Sequence, residues 1–243
     1  WNESRILAVN PEVLKAVGLI EAEVCVSKMG IQVAGLDIGK VHDSTVLTVL
    51  EVDYENPVIN PLKIDGQDEE KQVYYRKRIL DWAMMEGAFE GTMGQYESIV
   101  RYLAETNVKV MCVDTTGMGD PFFERLEAMI GDSISLIPVT FSLPMKSKLY
   151  KYYLQELHAY RLYYPAGSMT RESVPFRRWM KENESLDRVQ HGVHVTYQHP
   201  AGEDEHDDFP DSCALACWAE KMMPEAILPE ILVTQVGGKG TGV

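Results

Sequence analysis

Cysteine is scarce in this chain. Four occur in 243 residues, Cys25, Cys112, Cys213 and Cys217, and none forms a CxxC pair. That argues against a zinc site or a disulfide framework. Buried free thiols in a reducing cytoplasm are the expectation, two of them one turn apart on a helix. No apolar run approaches membrane-spanning length, so no membrane partner is expected. Positive charge is short as well: 23 Lys and Arg stand against 37 Asp and Glu, a formal net charge of -14. At face value this argues against a nucleic-acid partner, because affinity for DNA comes largely from cations that neutralise phosphates. A phosphate-binding loop is also lacking, since GGKGTG near the end has the wrong Gly-to-Lys spacing and no following helix.

What is present fits one substantial globular core, with 45% hydrophobic and 25% charged residues. The first thirty residues, beginning at Trp1, read as a piece of linker from a longer polypeptide, and 225–243, with two prolines and a glycine-rich end, as a trailing tail. The domain itself is then 31–224. Its charge is uneven. Acids crowd 51–70 and 203–211, while Lys146, Lys148, Lys151, Arg161, Arg171, Arg177, Arg178, Lys181 and Arg188 fall close together. These cations form either a basic face beside an acidic site or an ordinary solvated helix surface.

The periodicity predicts an alternating α/β order. Residues 31–38, 44–53 and 58–64 read as an antiparallel meander, with GKVHD as its first turn, and 76–85 fits strand or helix. A helix over about 94–106 precedes the strand Val108–Val113. PFFERLEAMIG is a helix with Pro121 near its start and Gly131 at its end, and 133–139 is a further strand. Helices follow over about 144–161 and 170–184, then a hairpin over 188–198 turning at His191-Gly192, and a last helix over about 210–222.

Three carboxylate positions stand at the edges of apolar runs: Asp37 in VAGLDIG, Asp114 in VKVMCVDTTG, and Asp207, Asp208 and Asp211 in HDDFPDSCALA. A carboxylate left at the end of a buried strand must be paired, hydrogen-bonded or bound to a cation. Three such places far apart in sequence point to convergence on metal, and oxygen-only donors suit Mg²⁺ or Mn²⁺. Asp37 is the candidate to bridge two ions, and Asp114 to hold one of them. Asp208 and Asp211, three apart, share a helix face. Asp208 is placed first as third ligand, Asp211 next and Asp207 last. The plainer alternative for Asp207 and Asp208 is capping of the helix N-terminus, worth about 1 kcal/mol. Asp43 is either a peripheral carboxylate or a turn residue. His206 is a candidate hydrogen-bond donor to the carboxylates, and His194 and His199 read as hairpin surface residues.

The stretches GLDIGKVHDSTVLTVLEV, VDTTGMGDPFFERL, PVTFSLPMKSKLYKYYLQELHAYRLYYP and HDDFPDSCALACWA, in that order, together resemble the nuclease domain of phage large terminase subunits, over roughly residues 31–222. The resemblance implies a ribonuclease-H-like fold: a central mixed β-sheet flanked by helices, plus an added hairpin near the site. It implies a metal-dependent endonuclease, with two ions, that cuts concatemeric double-stranded DNA when packaging starts and when the capsid is full. It also implies an aspartate pair in the last block, and a lysine, Lys146 or Lys148, that contacts the scissile phosphate or orients water. The implied partners are DNA, an ATPase domain of the same full-length chain, a portal protein and a small terminase subunit, in the host cell cytoplasm. Two other readings stand beside it. One is an actin-like ATPase fragment, for which the chain is too short to hold both halves. The other is a catalytically silent DNA-docking module of the motor, against which the intact aspartates in all three blocks argue.

Overall fold

The computed structural model describes residues 30–39, 44–62, 70–91, 94–117, 120–165, 167–200 and 206–224. Cys25, Asp43, the turn at 40–43, the tail and all but the last residue of the expected linker lie outside them. The strands are β1 (Ile31–Asp37), β2 (Thr45–Leu62), β3 (Glu70–Met85), β4 (Val108–Asp114), β5 (Ser135–Val139) and β6 (Leu162–Tyr163). They form one sheet in the order β5-β4-β1-β2-β3-β6. β1, β2 and β3 are an antiparallel meander, β4 and β5 add parallel to β1, and the short β6 adds parallel to β3. This is the ribonuclease-H-like arrangement expected from the sequence.

Helices α1 (Gln95–Ala104) and α2 (Asp120–Ile130) cover one face. α3 (Leu143–His158), α5 (Val174–Ser185) and α6 (Asp208–Lys221) cover the other, with the short α4 (Ser168–Glu172) beside α5. Strand periodicity divides the core accordingly. Val33, Val46 and Leu50 face α3 and α6, whereas Ala34, Leu36, Leu47 and Val49 face α1 and α2. With both faces buried, β1 reads as a near-continuous apolar run rather than an alternating one. A separate hairpin, β7 (Asp187–His191) with β8 (His194–Gln198), lies against α3. Among the described residues no helix is long and apolar enough to cross a membrane.

Three predicted boundaries differ from the structure. The two strands expected over 44–53 and 58–64 are one through Leu62: pairing with β3 jumps from Asp53↔Arg76 to Val58↔Tyr74. The residues between bulge out, held by Asp53 accepting from the Asn56 backbone and side-chain amides. The third strand of the meander is β3, in which 76–85 takes the strand option. A second register shift, at Val49/Leu50, puts buried Lys77, Ile79 and Trp82 two and then three residues apart, a spacing that matches neither simple period. The helix expected over 170–184 breaks at Ser173, whose Oγ accepts from the Phe176 N–H, with Pro175 in the first turn of α5. The hairpin loop is Gly192-Val193, one residue later than expected, with Gly192 at φ 62°.

Candidate metal centre at the carboxyl end of the central strands

β1 and β4 run side by side in parallel, with Leu36 opposite Val113, so the next residues, Asp37 and Asp114, end adjacent strands at the same edge. Ligand-binding groups of α/β sheets gather at this edge. α6 supplies the third contribution because it lies directly on β1. A Cβ on Gly35 would come within 2.1 Å of the Ser212 carbonyl oxygen and 2.3 Å of the Ala216 nitrogen, so only glycine permits the approach. Thr48 Oγ1 and Ser212 Oγ, 2.7 Å apart, pin the same turn to β2. The first turn of α6, carrying Asp208 and Asp211, is thereby held over the end of β1.

The site's charge is visible in Asp37, 8% exposed. Burial raises its pKa well above the usual carboxylate range, and Asp211, Asp208, Asp114 and Asp207 each raise it further. Asp114, Asp208 and Asp211 are similarly enclosed, at 9%, 7% and 4% exposure. Asp114 Oδ1 accepts from the Thr116 N–H at 2.8 Å, a turn contact that fixes the side chain without neutralising it.

Two cations reach into this cluster. Lys146, near the start of α3, donates to Asp207 Oδ2 and Asp211 Oδ2, both at 2.8 Å. Burial alone would lower its pKa, but Asp211 and Asp207 outweigh that and raise it. Lys148 is exposed on the same helix, so Lys146 is the lysine of this block that faces the site. Tyr150, one turn further along α3, donates to Asp211 Oδ1 at 2.5 Å, so both oxygens of Asp211 are engaged by α3. Burial nevertheless pushes Asp211 up to about 7, against the pull of Lys146 and with the help of Asp207. Arg178 on α5 reaches Asp208 Oδ2 at 3.4 Å, Glu182 Oε1 at 3.1 Å and Ser44 Oγ at 2.9 Å.

The plain capping alternative does not hold for Asp207. Asp207 occupies the N-cap position of α6 but makes no side-chain cap bond, its carboxylate being turned to Lys146. The first turn is capped instead from α5, where Glu182 Oε2 accepts from the Phe209 N–H at 2.9 Å. Burial lifts Glu182 to about 7, against the Phe209 amide and Arg178, with Asp208 adding to the rise. Glu182 and Tyr150 contact the candidate site and were not singled out from the sequence, and Arg178 was read only as one of the clustered cations. The available signal was the i,i+4 spacing of Arg178 and Glu182 on a helix that also carries Arg177 and Lys181.

The hairpin stands near the site, as expected. Tyr197 stacks on Tyr150 at 5.5 Å between ring centroids, and the Val195 N–H donates to Ser147 Oγ. His194 is half-buried in β8 rather than fully on its surface. His199 bonds to Ser185 at the end of α5, and His206 is half-buried next to Asp207. The basic stretch divides. Lys148, Lys151, Arg171, Arg177, Lys181 and Arg188 are exposed, whereas Lys146 and Arg178 face the carboxylates. Arg161 leaves the candidate DNA surface altogether: it is buried and forked onto Glu156.

The donor set suits a hard dication, since every candidate ligand is a carboxylate oxygen. As the side chains lie, no three His, Cys, Asp or Glu among the described residues close around a common point. Lys146 and Arg178 hold three of the five aspartates. Cys112, Cys213 and Cys217 are buried free thiols and take no part.

No protein-family model and no curated protein sequence matches the chain. Among solved structures it is similar to the crystal structure of the HK97 bacteriophage large terminase, with 9% identity and a TM-score of 0.46 over 78% of this chain and 39% of that one. The chain thus spans well under half the length of that protein, and the fold assignment above stands on strand order, not on this likeness.

Proposed function

We propose that the domain is a metal-dependent endonuclease for double-stranded DNA, the nuclease part of a viral packaging-motor large subunit. The observation that carries this reading is the convergence of Asp37, Asp114 and the acidic turn of α6 from three distant parts of the chain, with Asp37 repelled by all the others. Enclosing like charges costs free energy that a bound cation would return. When bound, Mg²⁺ or Mn²⁺ ions would activate a water, stabilise the leaving oxygen and neutralise phosphate charge.

In this reading Asp37, Asp114 and Asp208 would hold the ions. Asp211 and Asp207, held by Lys146 and Tyr150 in this structure, would complete the carboxylate set. The six exposed cations would contact DNA phosphates, giving salt-sensitive binding with little sequence preference. The working partners would be an ATPase domain of the same full-length chain, a portal protein and a small terminase subunit, in the host cytoplasm at the procapsid portal.

The test is incubation of the purified chain with supercoiled plasmid in Mn²⁺, Mg²⁺ or EDTA, beside Asp37→Ala and Asp208→Ala. Ion-dependent nicking and linearisation that falls to background in both variants is expected. Equal cutting by the variants would overturn the site. A folded wild type that binds Mn²⁺ yet leaves DNA intact would favour the silent docking module.

A further inference from the structure

We infer that Lys146 is a tethered counter-ion that latches the acidic turn of α6 and must be displaced before the site accepts its full complement of dications. The inference rests on the nuclease reading above and adds to it a built-in restraint on the same site. Lys146 Nζ sits 2.8 Å from both Asp207 Oδ2 and Asp211 Oδ2. That is the place a cation would take between two carboxylates at the edge of the cluster. Its stem is fixed from α3, with the ammonium over the rings of Phe141 and Tyr150 at 5.4 and 5.6 Å. The neighbouring Tyr150 hydroxyl holds the other oxygen of Asp211. The turn is thus drawn toward α3, and no three acidic side chains among the described residues close around one point. An intramolecular ammonium is present at high effective concentration. A dication that needs these oxygens therefore binds with an affinity reduced by the fraction of molecules in which the latch is open.

The experiment is Mn²⁺ binding to the full 243-residue chain by calorimetry, for wild type, Lys146→Met, Lys146→Arg and Lys148→Met. Lys146→Met should tighten binding by about tenfold or add a resolved second ion. Lys146→Arg, which keeps a cation at the end of the side chain, should stay close to wild type. Lys148→Met removes the same charge from an exposed neighbour and should change affinity less than about twofold.

Equal tightening by Lys146→Met and Lys148→Met, or none by either, overturns the latch while leaving the nuclease reading intact. Absence of Mn²⁺ binding in every protein overturns both. The wild type alone supplies a second readout that raises no question of folding. With ¹⁵N-labelled lysine, the exchange-protected ammonium signal of Lys146 should be present in EDTA and lost at saturating Mg²⁺. A signal that persists at saturation overturns the latch.

Discussion

α3 and α6 pack side by side, and a charged network sits at each end of the pair. At the carboxyl-terminal ends, Lys77 and Arg161 face Glu156 and Glu220. Lys77 lies 2.8 Å from Glu156 and 3.2 Å from Glu220, Arg161 forks onto Glu156, and the Tyr152 hydroxyl donates to Glu220 at 2.7 Å. At the amino-terminal ends, Lys146 and Arg178 face Asp37, Asp114, Asp207, Asp208, Asp211 and Glu182. The first network matches cation to anion, and the pKa shifts agree: burial alone would raise Glu156, but Arg161 and Lys77 hold it below its ordinary value. In the second, burial raises Asp37, Asp211 and Glu182, and neighbouring carboxylates add to the rise. One network balances its charges within the chain, and the other holds more buried acid than its two cations offset.

The sharpest way to break that comparison is to neutralise one acid in each network and measure unfolding by denaturant in EDTA. Glu156→Gln strips Arg161 of its carboxylate partner and leaves Lys77, at 1% exposure, with Glu220 as its remaining carboxylate. It should cost about 3–5 kcal/mol, as removing one partner of a buried pair does. Asp37→Asn should act in the opposite direction, raising ion-free stability by on the order of 1 kcal/mol, because it removes a carboxylate disfavoured by burial and by four like charges. Loss of stability in Asp37→Asn would mean that the fold already stabilises Asp37 as a carboxylate. The contrast with the carboxyl-terminal network would then collapse.

Much of the site's location was legible because burying a carboxylate is costly and sequence context reveals burial. Asp37 and Asp114 each end an apolar run, and both end adjacent parallel strands. How each aspartate of the α6 turn is engaged was not legible. That depends on Lys146 and Tyr150 approaching from α3, sixty residues earlier, and taking both oxygens of Asp211. Gly35 is visible in the sequence as part of G-x-D-x-G, but the reason for it, the backbone of α6 lying against β1, is tertiary. The same limit hid the buried ion network: Lys77 and Arg161 look like surface cations in sequence, and only the packing of β3 against α3 and α6 gives them carboxylate partners. The irregular register of β2 and β3 disguised one long hairpin as several shorter pieces, since each bulge shifts the phase on which a strand reading depends.

The finest test of the comparison concerns Glu182, whose carboxylate caps α6 while facing Asp208. Its pKa rises from 4.5 to about 7 in the folded chain. The folded state therefore holds its proton more tightly than the unfolded state does. The corresponding stability is fully present below pH 4.5 and is lost as pH rises through 7. Asp37 and Asp211 slope the same way, so the wild type alone cannot isolate the contribution. In Glu182→Gln the amide oxygen still accepts the Phe209 N–H but no longer ionises. The variant should therefore gain on the order of 1–3 kcal/mol relative to wild type between pH 4.5 and pH 8, read from urea unfolding in EDTA at the two values. The difference in slope is the quantity to compare, because any change the amide makes relative to the neutral carboxyl enters at both pH values. Parallel slopes would mean that Arg178 and the α6 amide already hold Glu182 ionised in the fold. The excess of negative charge would then be confined to the aspartates and would end at the first turn of α6.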